Sequence, residues 1–304
     1  MIPPSPPAFE QSVDDPIHLL EDGPRDPAWN MALDDALLHL RQRGALAGTW
    51  VRLFGWSPPA VSIGRLQSPA AELDLPALAE AGIPVVRRST GGKAVYHADE
   101  LTYSLVGGVP DPTWGANLHE TYRRVTAVLA DALLRLGVPT QLAPRRRAAS
   151  AASGGLEGAC FAVVYGHELV HAGRKICGSA QRRLTRAFLQ HGSLLLGPEQ
   201  SRMALFLRSN RGAGEDGDRE HGGREALAAR LRAETVDVAT AVGRPVKPDE
   251  LAAAVRAALA AGFGARVIAG ELTPAIILEA ESRLESVRVA AARVGSVDTL
   301  ELQG

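Results

Sequence analysis

A cysteine and a lysine fifteen residues apart are the side chains best suited to covalent chemistry in this sequence. Cys160 follows glycines that leave a thiol accessible, and Lys175 lies within the run GRKICGSAQ. A cysteine attacks as its thiolate, and a neighbouring ammonium group favours that charged form. The two residue types therefore predict a thiol nucleophile assisted by a lysine.

Spacing alone does not bring these two side chains together. If residues 172–173 form a two-residue turn, Lys175 pairs across from Val170 and not from Cys160. A cysteine is also commonly a small buried apolar residue. Cys177 falls within an apolar alternation, so the buried interpretation is favoured for that thiol, and Cys160 is the candidate nucleophile.

The stretch 87–104, RRSTGGKAVYHADELTYS, combines a glycine pair with positive charge. Alternation after the glycines predicts a strand–loop–strand unit, and a glycine pair lets the backbone approach a ligand closely. With its basic neighbours, the pair suits a thioester- or phosphate-bearing carrier, an adenylate or a carboxylate. The alternative is an ordinary tight turn whose basic residues are solvated.

The string His-Glu-Leu-Val-His at 167–171 matches a zinc-hydrolase motif in letters only. That mechanism requires a helix, on which residues four apart share one face. Here the flanking residues are of strand type and a Gly follows at 173. In a strand, residues four apart are separated by about 13 Å, too far for one metal ion. The pattern predicts a solvated hairpin and no metal site.

A second string, G-x-G-x-x-G at 212–217, lies among acidic residues. A dinucleotide site requires a strand before the glycines and a helix opening within them. The acidic neighbours would repel a pyrophosphate. We therefore predict a mobile loop over 211–224.

Composition excludes several classes of protein. The chain has 304 residues, of which 46% are hydrophobic and 22% charged, so a packed core is expected. A net charge of -1 argues against nucleic acid as a partner, and no apolar run reaches membrane-spanning length. Two cysteines do not make a disulfide framework, and the first sixteen residues lack the features of a signal peptide. A cytoplasmic location is expected, without nucleic-acid or membrane partners.

Strand and helix patterns alternate along the chain without a regular rhythm. Apolar periodicity predicts helices over 30–40, 73–81, 119–136, 227–242 and 251–262, and strands over 50–63, 83–88 and 161–196. This mixture favours an α+β fold with mixed β-sheets flanked by helices. Prolines at 245 and 248 predict a boundary between a catalytic domain, 17–244, and a small helical C-terminal extension, 245–304.

The motifs in combination resemble one known superfamily. The stretch 87–104, the Cys-Phe pair at 160–161, GRKICGSAQRR and QHGSLLLG are similar to the biotin/lipoate protein ligase and octanoyltransferase superfamily. Two upstream segments, NMALDDALL and VRLFGWSPPAVSIGRLQ, resemble its N-terminal motifs, and the resemblance spans residues 17–284. ADELTYS together with the cysteine most resembles the LipM-type octanoyl-[acyl-carrier-protein]:protein N-octanoyltransferases. The resemblance implies a class II synthetase-like catalytic domain.

The resemblance also implies a reaction and its residues. Cys160 would be the acyl-thioester nucleophile, and Lys175 would hold the acyl carbonyl and assist the thiolate. Octanoyl-acyl-carrier protein would be the donor, and the acceptor would be a lysine of a lipoyl domain, for which glycine-cleavage H protein is the family-level expectation. No cofactor would be needed. The implied substrate-binding residues are Arg87, Arg88, Gly91, Gly92, His97, Gly178, Ser179 and Ala180.

Three other functions are compatible with parts of the sequence. An ATP-dependent lipoate–protein ligase would share the glycine and lysine motifs, would need magnesium, and would typically lack the cysteine. A non-catalytic acyl-binding relative would have no use for both Cys160 and Lys175. A zinc hydrolase would depend on the string at 167–171.

Overall fold

A computed structural model describes residues 15–143, 168–208 and 217–289. Its strands are β1 Ile17–Arg25, β2 Thr49–Trp56, β3 Ala60–Ile63, β4 Val85–Arg87, β5 Val95–His97, β6 Glu100–Gly108, β7 Gln141–Leu142, β8 Leu169–His171, β9 Arg174–Arg183, β10 Ala187–Leu195 and β11 Val267–Ala269. Its helices are α1 Pro27–Arg43, α2 Pro69–Glu72, α3 Leu75–Glu80, α4 Leu118–Arg135, α5 Gly217–Glu234, α6 Val238–Val242, α7 Pro248–Phe263, α8 Pro274–Glu281 and α9 Leu284–Val287.

The strands of the described residues form two sheets. The main sheet has eight strands in the order β11-β1-β2-β6-β10-β9-β8-β7, and the small sheet has the order β4-β3-β5. Parallel pairs, β1 with β2 and β11, adjoin antiparallel pairs among β2, β6, β10 and β9. The predicted α+β fold with mixed sheets flanked by helices is confirmed.

Helix α1 covers one face of the main sheet. It begins where the Asp26 carboxylate accepts from the Trp29 N–H at 3.0 Å, with Pro27 in its first turn. It ends at Gly44, whose φ of 74° is left-handed and suits a glycine. Its apolar residues pack against Trp50, Val106, Ala187 and Leu189 of the sheet.

The opposite face of the sheet is covered by α4 and α7. Alternate residues of the same strands, such as Val51, Leu53 and Leu105, enter one core with both helices. The period of two in side-chain direction is what gives each strand two different packing partners. Because α7 lies in this core, residues 248–263 pack with the central sheet; the domain division after residue 244 stays a prediction.

The small sheet lies over the α1 side of the main sheet. Val61 and Ile63 of β3 share a core cluster with Leu195 of β10, to which Leu227 and Leu231 of α5 also belong. Side chains that face each other across the gap between the sheets therefore meet inside the protein.

Two sequence predictions about the segment before residue 245 are wrong. Residues 217–224 were expected in a loop, but α5 begins at Gly217. Leu227 and Leu231, one turn apart, bury against the small-sheet core and stabilise the helix by tertiary packing. The single helix expected over 227–242 is two helices, because Asp237 caps α6 by accepting from the Thr240 N–H at 2.8 Å. Gly212 and Gly214 lie outside the described residues.

Candidate active site

A cavity lies between the two sheets, and its empty space is about 420 Å³ when open solvent at its mouth is included. Its walls contain five of the residues that the sequence assigned to binding: Arg88, His97, Gly178, Ser179 and Ala180. Strand β5 of the small sheet supplies one wall, and β9 of the main sheet supplies the other. These two motifs therefore face each other across the cavity, and its role in binding stays a prediction.

Three other predicted binding residues do not line the cavity. Arg87 is half-buried and its Nη1 donates to the carbonyls of Gly64, Arg65 and Gln67 at 3.2, 3.1 and 2.8 Å. Gly91 and Gly92 lie against Gly64. A Cβ added to Gly64 would come within 2.2 Å of the Gly92 carbonyl oxygen. These residues hold two loops together.

Arg88 fixes the turn that follows it. Its guanidinium donates to the Gly91 carbonyl at 2.9 Å and the Lys93 carbonyl at 2.7 Å. It also donates to the carbonyl and the hydroxyl of Ser62 at 3.1 and 3.0 Å. Arg88 is buried, and these carbonyl and hydroxyl oxygens stabilise its positive charge. The basic residue expected at a ligand therefore shapes the loop beside the cavity.

Sequence reasoning missed the remaining lining residues. They come from α1 and from strands of both sheets: Met31, Trp56, Ser62, Val95, Thr102, His191, Gly192 and Ser193. One signal in the sequence was the polar run 190–193 inside an otherwise apolar strand. Met31 and Trp56 lie within the two upstream segments that resemble the superfamily's motifs, but by residue type they look like ordinary core residues.

His97 lies in a chain that links a hydroxyl, an imidazole and a carboxylate. Its Nε2 is 2.7 Å from the Ser62 hydroxyl and its Nδ1 is 2.8 Å from Glu100 Oε1. The same carboxylate oxygen accepts from Thr102 at 2.5 Å and Ser193 at 2.7 Å. Burial raises the pKa of Glu100, but His97 and these donors outweigh it, and the net shift is downward.

His191 lies in a second chain of the same kind. Its Nε2 is 2.6 Å from the Thr90 hydroxyl, and its Nδ1 is 3.1 Å from Asp34 Oδ2. Asp34 also accepts from Ser104 at 2.7 Å and pairs with the fully buried guanidinium of Arg52. Burial lowers the pKa of His191, so the imidazole is neutral near neutral pH.

The polar side chains that line the cavity make hydrogen bonds within the protein. Ser179 bonds to the Tyr103 hydroxyl at 2.8 Å, and the Trp56 indole N–H donates to Thr102 at 2.8 Å. Together with the two chains, these bonds give each polar side chain of the lining a partner within the wall. The surface left for a ligand is mainly hydrocarbon, which suits an apolar chain better than a sugar or a nucleotide base.

Lys175 lies on the cavity side of the sheet but is not one of the residues that line the cavity. Residues 172 and 173 both have positive φ and form the two-residue turn, and Lys175 pairs with Val170 as predicted. The pairing between β8 and β9 then shifts by one residue, and Ile176 and Cys177 both enter the core under α4 and α7. This bulge interrupts the alternation, so Lys175 shares a face with Gly178.

The Lys175 ammonium is fully buried and forms an ion pair with Glu168. Glu168 is the glutamate of the zinc-hydrolase string, whose residues 169–171 form strand β8. The strand prediction for that string is confirmed over these residues, but the expectation of a solvated hairpin is wrong, because Glu168, Leu169 and Val170 are buried. No cluster of metal-binding side chains occurs in the parts of the chain that the structure describes.

Only one of the two cysteines lies within the described residues. Cys177 is buried, as predicted, and burial raises the pKa of its thiol to about 12. It is a neutral core residue at physiological pH. Cys160 lies outside the described residues, so its proximity to Lys175 stays a prediction.

The chain matches one family model over most of its length. The model is described as the lipoyl protein ligase A/B catalytic domain, and it covers residues 26–260. The chain belongs to this family. The superfamily predicted from the motifs is thereby confirmed.

Curated relatives of the family cover nearly the whole chain. Octanoyltransferase LipM of Symbiobacterium thermophilum is 39% identical over 87% of this chain and 91% of its own length. Octanoyltransferase LipM of Kyrpidia tusciae is 35% identical over 84% of this chain and 90% of its own.

Solved structures of the family share the fold. Lipoate-protein ligase A bound with ATP superposes with a TM-score of 0.67 at 20% identity, over 89% of this chain and 94% of that one. A bi-partite lipoate protein ligase from Thermoplasma acidophilum gives 0.68 at 19% identity, over 89% and 91%. No helix within residues 15–143, 168–208 and 217–289 combines the length and apolarity needed to cross a bilayer.

Proposed function

We propose that this protein transfers an octanoyl group from acyl-carrier protein to a lysine of a lipoyl domain, through a thioester on Cys160. The observation that carries octanoyl transfer is the 39% identity to an octanoyltransferase over 91% of that relative. The predicted acyltransferase of protein lipoylation is confirmed at that level. The cysteine intermediate and the carrier-protein donor are the parts that we propose beyond that identity.

The first step exchanges one thioester for another. The Cys160 thiolate attacks the acyl carbonyl carbon, a new C–S bond forms, and the bond to the carrier's thiol breaks. The released thiolate takes up a proton. Bond types are unchanged, so the step is close to thermoneutral, and splitting the transfer in two is covalent catalysis.

The second step forms an amide. A neutral lysine amine of the lipoyl domain attacks the Cys160 thioester, the C–N bond forms, and the C–S bond breaks. The proton lost by nitrogen goes to the departing thiolate. An amide is more stable than a thioester, so the step is downhill and neither ATP nor a metal ion is required.

Lys175 supports both steps in this proposal. Its ammonium is paired with Glu168 and is buried, where a charge acts more strongly than in water. A positive charge beside the thiol lowers its pKa and stabilises the oxyanion of each tetrahedral intermediate. The apolar cavity beside β9 then holds the hydrocarbon tail.

Intact-mass measurement tests the intermediate. After mixing with octanoyl-acyl-carrier protein, the wild type gains one octanoyl group, and Cys160→Ala gains none. Cys177→Ala is the matched control, because its buried thiol has a pKa of about 12 and should not be acylated. An adduct that persists in Cys160→Ala, or that disappears only in Cys177→Ala, refutes the assignment.

Transfer to a lipoyl domain without nucleotide tests the reaction class. We expect product in the absence of ATP and magnesium, with glycine-cleavage H protein as the acceptor to try first. Formation of product only when ATP is added would instead support a lipoate–protein ligase. The reaction is placed in the cytoplasm, where carrier protein and lipoyl domains would be available together.

A further inference from the structure

We infer that Met31 sets the longest acyl chain that this enzyme accepts. The inference rests on the proposed function, because it concerns the tail of the group that is transferred. It names a specificity-determining residue on α1, the helix that contains the segment NMALDDALL.

The cavity runs across the strands of the main sheet. Its lining passes from Gly178 on β9 to Ser193 on β10 and Thr102 on β6, which are opposite one another in the pairing register. Trp56 follows on β2, the next strand in the sheet. Three steps of about 4.8 Å make this path roughly 14 Å long.

The reacting end of this path is at β9. Lys175 belongs to β9 and is on the same face as Gly178, three residues or about 10 Å along the strand. Trp56 and Met31 are at the other end, where both belong to a buried cluster between α1 and the sheets. A chain whose carbonyl is held beside Gly178 therefore points its terminal methyl towards Met31.

The length of the path fits eight carbons. An extended octanoyl group has seven C–C bonds of about 1.5 Å and spans roughly 9 Å. Its terminal methyl then reaches β6, one strand short of Trp56. Further methylenes would meet the side chains of Met31 and Trp56.

Met31 is the adjustable part of this end. Trp56 is held by its bond to Thr102 and by stacking on His97 with ring centroids 3.9 Å apart. Met31 is unbranched and has no polar atom to satisfy, so its truncation leaves no broken hydrogen bond. Its cluster includes Ala28, Ala32 and Ala60, whose small side chains leave the space of a truncated Met31 open.

Competition among carrier proteins loaded with C6, C8, C10 and C12 acyl groups tests the inference. Relative kcat/KM values are measured in one mixture for the wild type, Met31→Ala and Met31→Phe. We expect Met31→Ala to raise the C12:C8 ratio by about tenfold or more, since single methylenes in a fitted apolar pocket change selectivity on that scale. Met31→Phe should shift preference the other way, from C8 towards C6.

Met203→Ala is the matched control. Met203 is as buried as Met31, but it lies in the small-sheet cluster and outside the cavity lining. It should lose a similar amount of stability and keep the wild-type chain-length profile. Melting temperatures of all variants separate a change in selectivity from a general loss of folded protein.

The outcomes distinguish the inference from the proposed function. A wild type that transfers C8, with unchanged C12:C8 and C6:C8 ratios in both Met31 variants, overturns the inference and leaves the function standing. A wild type that transfers no acyl group from carrier protein overturns both. If Met31→Ala fails to fold, the C6:C8 ratio of Met31→Phe decides by itself.

Discussion

Two chains of hydroxyl, imidazole and carboxylate meet at the cavity, and they balance their charges differently. Ser62–His97–Glu100 and Thr90–His191–Asp34 have nearly the same hydrogen-bond distances. Asp34 has a buried arginine, Arg52, as a counter-ion, and Arg52 is also paired with Asp22 at 2.7 Å. Glu100 has instead the hydroxyl donors and His97, and its Oε2 makes no hydrogen bond within the described residues.

The difference shows two ways to bury a carboxylate beside an apolar cavity. At Asp34, burial raises the pKa, and the Arg52 charge followed by His191 lowers it further than burial raises it. At Glu100, His97 and the hydroxyl donors lower the pKa further than burial raises it, without an arginine. The first arrangement ties α1 to the sheet, and the second ties the small sheet to the main one. Each leaves the cavity surface apolar.

Removal of Arg52 should have the largest effect on the stability of the protein. Arg52→Met leaves two buried carboxylates without their cation, and breaking a buried pair in this way costs about 3–5 kcal/mol. The free energy of unfolding in urea measures it. Arg256→Met is the control, because Arg256 pairs with Glu21 on the surface, where such a pair contributes about 0–1 kcal/mol. Equal losses in the two variants would contradict the role given to Arg52.

A double-mutant cycle should show which carboxylate depends on Arg52. Asp34→Asn combined with Arg52→Met is expected to be non-additive by about 0.5–3 kcal/mol, because the two side chains are in contact. Glu100→Gln combined with Arg52→Met should be additive, since Glu100 is four residues along β6 from the partner of Arg52, roughly 14 Å away. Coupling of Arg52 to Glu100 as large as that to Asp34 would merge the two chains into one network.

The smallest effect is on the pH dependence of stability. The pKa of His191 is lower in the folded protein than its ordinary value of 6.5, so the unfolded state binds more protons just below that pH. Stability is then complete above pH 6.5 and decreases as the pH falls. His191→Gln should reduce the slope of melting temperature against pH between about 6.5 and 5.

His18 is a second histidine that contributes to that slope. Burial also lowers its pKa, so it contributes in the same direction and the slope in His191→Gln should decrease without vanishing. His18→Gln should remove a separate part. A slope in His191→Gln that equals the wild-type slope would mean that His191 is already as easily protonated in the folded chain as in the unfolded one.

The positions predicted best were those whose role depends on local pattern. The turn at 172–173 has positive φ at both residues, and the strand-type flanks with a Gly at 173 predicted a hairpin there. The cores of α1, α4 and α7 followed from apolar spacing. Prediction failed at residues 217–224, where distant partners of Leu227 and Leu231 stabilise a helix.

Within the candidate site, the motif residues and the pocket residues overlap only in part. Arg87, Gly91 and Gly92 belong to the same motif as Arg88 and His97, but only the last two line the cavity. Which residues of a motif face inward depends on how β3, β4 and β5 pair, and that pairing joins segments more than twenty residues apart.

The sequence by itself determined the family, the chemistry expected of a cysteine and a lysine, and the mixed α+β fold, because these depend on residue types and their local spacing. Only the tertiary structure decided that Lys175 shares a face of the sheet with the cavity residue Gly178, through a bulge between β8 and β9. It alone brought Met31 and Trp56 to the far end of the pocket. The physical reason is that side-chain direction and contact across a sheet depend on pairing register, to which the local sequence contributes little.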